Sequence, residues 1–98
     1  MANYATNLFY LSTKNENDLD KVERFLNDNF QCCDLIREQG WIEAQFDSRW
    51  VYPEKEMDQL LSSLEQSGEL YIRVLTHELC NEYVSFRVFS NGEWDVRY

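Results

Sequence analysis

A chain of 98 residues with 18 Asp and Glu against nine Lys and Arg has a net charge of −9, which repels phosphate backbones and anionic headgroups. Nucleic acid and membrane surfaces are thereby disfavoured as partners and basic proteins favoured. The length suits a single domain spanning residues 1–98, and a hydrophobic share of 44%, with three Trp, six Tyr and six Phe, can fill a core without disulfide or metal.

In chain order, Asn7 to Lys14 is a β-rich run entering a polar turn at Asn15-Glu16-Asn17. Leu19, Val22, Phe25 and Leu26 then fall on one helical stripe, with Asn15 or Asn17 as cap, Asp18 and Asp20 at the positive end and a stop near Asn29. Asp34 to Glu38 and Trp41 to Val51 flank Gln39-Gly40 as a hairpin. In its second arm Ile42, Ala44, Phe46, Ser48 and Trp50 alternate with Glu43, Gln45, Asp47 and Arg49, which turns Phe46 and Trp50 inward.

Pro53 in a first helical turn, a stripe of Met57, Leu60, Leu61 and Leu64, and Gly68 as a left-handed stop predict a second helix over Pro53 to Ser67. Leu70 to Thr76 and Tyr83 to Ser90 alternate as strands, and Asn91-Gly92 signals a type I′ turn into a last strand, Glu93 to Tyr98.

The order β-α-β-β-α-β with a C-terminal β-hairpin predicts an α+β, ferredoxin-like fold, two helices lying on one face of a mainly antiparallel sheet. Tyr71, Tyr83, Phe89, Trp94 and Tyr98 exceed what two helices are expected to cover, so part of the open face is predicted to be apolar, with a homodimer as one way to bury it.

The opening MANYATNLFYLS, then FDSRWVYPEKEMDQLL after the hairpin, then the late NGEW resemble the YubB-like ferredoxin-like domains of plasmids, phages and other mobile elements. Phe46, Arg49, Trp50, Pro53 and Trp94 are the landmarks of that resemblance and are structural signatures. It implies a mobile-element context, in which small acidic proteins often inhibit host defence machinery, CRISPR nucleases included.

The chemistry-bearing residues give little support for catalysis. His77 and Cys80 with adjacent Cys32 and Cys33 lack the paired spacing of a structural zinc site. Cys80 with His77 has no oxyanion loop, and Glu43 with Asp47 has no accompanying phosphate loop. No catalytic residue, metal or cofactor is therefore expected. Three cysteines make a poor disulfide set, which together with the want of a long apolar run fits a cytoplasmic protein. Arg49, beside Trp50 and Pro53, is expected to stack on a ring or bond helix carboxylates.

The helix carboxylates are the candidate partner-binding residues, Glu16, Asp20 and Glu23 forming one stripe and Glu54, Asp58 and Glu65 another. Like charges at such spacing cost a few tenths of a kcal/mol per pair and so oppose helix stability. The expectation is a non-enzymatic acidic protein that engages a basic host protein such as a nuclease. The alternative is a domain that self-associates through its open sheet face.

Overall fold

The computed structural model describes residues 4–30, 34–65 and 69–97. Its elements follow the chain as β1 (Tyr4–Ser12), α1 (Glu16–Asn29), β2 (Asp34–Glu38), β3 (Trp41–Arg49), α2 (Glu54–Ser63), β4 (Tyr71–Glu78), a short 3-10 turn (Leu79–Asn81), β5 (Tyr83–Ser90) and β6 (Glu93–Arg97). The fold is α+β, with two helices and one antiparallel sheet of six strands in the order β2-β3-β1-β4-β5-β6.

Register fixes which side chains share a face. Phe9 lies opposite Ala44 and Val74, Leu11 opposite Ile42 and Ile72, and Ile72 opposite Phe89. Together with Phe46 these inward residues meet Leu19, Val22 and Leu26 of α1 and Met57 and Leu60 of α2 in one cluster of buried side chains. The ring of Phe46 lies 4.2 Å from that of Phe30 and 6.0 Å from that of Phe9.

Helix α1 starts where its cap dictates, Asn15 Oδ1 accepting from the Asp18 backbone N–H at 3.1 Å. The two helices are tied at one end. Buried Asp18 accepts from the Glu65 backbone N–H at 2.8 Å, Asn15 donates to Glu65, and Lys21 Nζ donates to the Ser63 carbonyl at 3.2 Å. The Lys21 bond satisfies one of the carbonyls that the C-terminus of α2 leaves open.

Several boundaries differ from the sequence expectation. Strand β1 begins at Tyr4 and ends at Ser12, and β4 runs on to Glu78. Helix α2 closes at Ser63, its Leu64 cap being extended; the expected stop at Gly68 lies outside the described residues, as do Ser67 and Tyr98. The hairpin signal holds, with φ of 54° at Asn91 and 84° at Gly92.

The largest correction concerns Trp50. Strand β3 ends at Arg49, and Trp50, expected inward beside Phe46, is 46% exposed with φ 69°. Phe89, expected to strain the capacity of the helix layer, is buried, and Trp94 packs edge-on against it at 5.3 Å, with Tyr52 at 6.4 Å. The open face is apolar through Tyr71 of the expected set, half-buried there, and through further residues, with Leu8, Ile36 and Val84 exposed and Tyr10, Trp41, Leu75 and Phe86 half-buried.

Candidate functional site

The six predicted partner-binding carboxylates meet different fates. Arg37 of β2, on the inward face opposite Ile42, reaches Asp20 at 2.6 Å and Glu23 at 3.0 Å. Hydrogen bonds to Asp20 first and Glu23 second raise its pKa further, so the guanidinium is a fixed counter-ion for that stripe. Glu54 lies 3.9 Å from Arg87. Glu65 falls beyond the end of α2 and accepts from Asn15, which breaks the second stripe after Asp58. Glu16 and Asp58 carry no ion pair or side-chain hydrogen bond among the described residues.

Arg49 takes neither role expected of it. It is exposed and makes no ion pair or side-chain hydrogen bond among the described residues. Other arginines do that work. Arg37 bonds the helix carboxylates, Arg87 lies 4.1 Å over the buried Tyr52 ring, and Arg73 lies 4.2 Å over the Tyr10 ring on the open face. Strand parity was the available signal, since Leu35 and Arg37 share a face by alternation and that face meets α1. Around Tyr52, burial holds the phenol well above the usual range near 10.0, and the charge of Arg87 offsets it only in part.

Four further carboxylates, Asp34, Glu38, Glu43 and Asp47, stand on the open face of β2 and β3 without an ion pair among the described residues. Glu43 and Asp34 border a groove of about 600 Å³ with Leu8, Tyr10, Ile36 and Arg73.

The turn after β3 was missed by pattern reading. The Val51 backbone N–H donates to the Arg49 carbonyl at 2.7 Å, closing a three-residue turn around Trp50 at φ 69°. A bulky residue with positive φ at the centre of such a turn is strained. A directed chain of hydrogen bonds holds it there. Thr76 Oγ1 donates to Asn7 Oδ1 at 2.7 Å, Asn7 Nδ2 to Ser48 Oγ at 2.9 Å, and Ser48 Oγ to the Val51 carbonyl at 2.7 Å. All three side chains of this relay are buried. The signal in the sequence was an Asn at an inward position of β1, a residue strands disfavour unless it is bonded.

Beside the turn opens a cleft of about 790 Å³ between the end of α1 and the start of α2, bordered by Tyr4, Phe30, Asp47, Arg49, Val51 and Glu54. Pro53 is buried at its floor, in the cap position before α2 and not within the first turn.

His77 lies half-buried on the open face and Cys80 exposed in the 3-10 turn, and no three His, Cys, Asp or Glu side chains among the described residues are grouped to hold a metal. Cys32 and Cys33 lie outside the described residues. No described helix is long and apolar enough to cross a membrane. No protein-family model, curated protein or solved structure matches this chain.

Proposed function

We propose that this protein is a non-enzymatic acidic binding protein that docks on a basic, nucleic-acid-binding surface of a host protein and blocks it by occupancy and charge mimicry. A CRISPR nuclease is the leading kind of target, and the host cytosol the place of action. The observation that carries the reading is the net charge of −9 on 98 residues, with Glu16 and Asp58 on the helix layer and four carboxylates on the sheet lacking counter-ions among the described residues. Charges left unpaired on a rigid scaffold steer a basic partner and cost little to bring into its field.

The mobile-element origin, phage or plasmid, rests on the resemblance of the FDSRWVYPEKEMDQLL and NGEW segments to YubB-like domains. A ferredoxin-like classification is part of the same proposal. It draws support from the order β2-β3-β1-β4 of the first four strands, which β5 and β6 extend at one edge.

Binding to purified CRISPR nucleases and other nucleic-acid-binding proteins, measured at rising salt, tests the reading. Affinity is expected to fall steeply as screening shortens the reach of the charges. Reversal of Glu54, Asp58 and Glu65 to Lys is expected to slow association more than reversal of Glu93 and Asp95. Loss of binding from the Glu93 and Asp95 changes alone would move the interface to the sheet edge and end the mimicry reading.

A second reading, self-association through the open sheet face, is favoured by the exposure of Leu8, Ile36 and Val84 there. Light scattering decides it: a stable dimer with no affinity for basic proteins supports this reading over the first.

A further inference from the structure

The strained turn, its buried support and the cleft beside it are unexplained by packing. Trp50 contributes nothing to the buried cluster, yet the chain holds it at φ 69° with the residue 46% exposed. Val51 follows it in the turn and Tyr4 lies opposite the preceding Arg49, the two 47% and 61% exposed. A conformation that glycine or asparagine would adopt more easily persists only where the surroundings over-determine it, and such outliers gather at binding sites. Here the surroundings are the Thr76–Asn7–Ser48–Val51 relay, which places polar groups in the core and ends on the turn.

We infer that Trp50, presented by this turn next to the exposed Val51, is the aromatic anchor on which an arginine- or lysine-bearing segment of the basic partner docks. Tryptophan is the residue most enriched at the centres of interfaces, and its ring face attracts a cation better than any other side chain. Charge selects the occupant. The adjoining cleft carries Asp47, Glu54 and Glu56 against Arg49 and Lys55, with Glu54 already 3.9 Å from Arg87, so the attraction for a cation comes from the whole chain's charge of −9. The inference rests on the proposed function and deepens it: net charge brings the partner in, and Trp50 holds one of its cations.

Glycine is at home at the φ of 69° that Trp50 adopts, so replacing the ring there is expected to remove the anchor without unfolding the chain. The probe is a blocked peptide of alternating arginine and leucine, titrated into isotope-labelled protein while the three tryptophan indole N–H signals are followed. The Trp50 signal is expected to move most. Trp50→Gly and Trp50→Asn are each expected to weaken binding tenfold or more with no fall in Tm, and Trp50→Phe to keep most of the affinity. Salt-dependent binding that leaves the Trp50 signal still, or that survives Trp50→Gly unchanged, overturns the inference and leaves the proposed function standing. A peptide that fails to bind the wild-type chain at low salt overturns the inference, and if purified nucleases and other basic proteins also fail to bind, the proposed function falls with it.

Discussion

The two faces of the single sheet are built from the same strands yet obey different rules. Toward the helices, alternate positions are buried and mostly apolar, and among the polar groups buried there Asn7 is bonded to both Ser48 and Thr76. Toward the open side, Leu8, Ile36 and Val84 stand exposed among carboxylates that lack counter-ions within the described residues. Alternation assigns residues to a face, whereas the helices decide which face must be dry. Arg37 bridges Asp20 and Glu23 on the covered side, and Arg97 lies 2.9 Å from Asp95 on the other, where Glu43 and Asp47 carry no ion pair among the described residues.

The comparison breaks most visibly in the core. Phe46, fully buried between Phe9 and Phe30, is expected to lose about 3–5 kcal/mol of stability on Phe46→Ala. Chemical denaturation measures it, and a change below ~1 kcal/mol would place the ring outside the core.

Next comes the relay beneath the turn. Asn7→Ala leaves the Thr76 hydroxyl without its acceptor and the Ser48 hydroxyl with only its bond to the Val51 carbonyl in a dry site, for an expected cost of about 1–3 kcal/mol. An unchanged midpoint would show that water replaces the amide.

Alkaline pH sharpens the contrast at Tyr52. Its folded-state pKa is raised above the ordinary 10.0 because burial disfavours the phenolate. The fold therefore favours the protonated form, so this contribution to stability is complete below pH 10.0 and is lost as pH rises above it. Ultraviolet titration is expected to show one of the six tyrosines resisting ionisation until the chain unfolds. Six tyrosines titrating together in the folded protein would contradict it.

The smallest effects are expected where the surface is solvated. Arg37→Ala removes a half-buried ion triad whose carboxylates are largely exposed, at a cost of no more than about 1 kcal/mol that shrinks with salt. Trp50→Gly exchanges a strained ring for a residue at home in that conformation, so stability is expected to hold or to rise by up to about 1 kcal/mol. Loss of several kcal/mol instead would return Trp50 to the core and erase the distinction from Phe46.

By itself the sequence determined the elements and their order. Apolar spacing set the helical stripe Leu19, Val22 and Leu26, alternation set Ile42, Ala44 and Phe46, and Asn15 and Asn91-Gly92 set a cap and a turn. These are local effects, decided by neighbours a few residues apart. Everything that depends on which strands lie side by side came from long-range packing. Arg37 and Arg87 found carboxylates and a ring far away in sequence and Arg49 did not, because each partner comes from an element that topology alone brings near. Trp50 shows the same limit from the other side. Alternation carried it inward as the next even position of β3, but a hydrogen bond relay reaching from β4 through β1 stops the strand at Arg49 and turns the ring out to solvent.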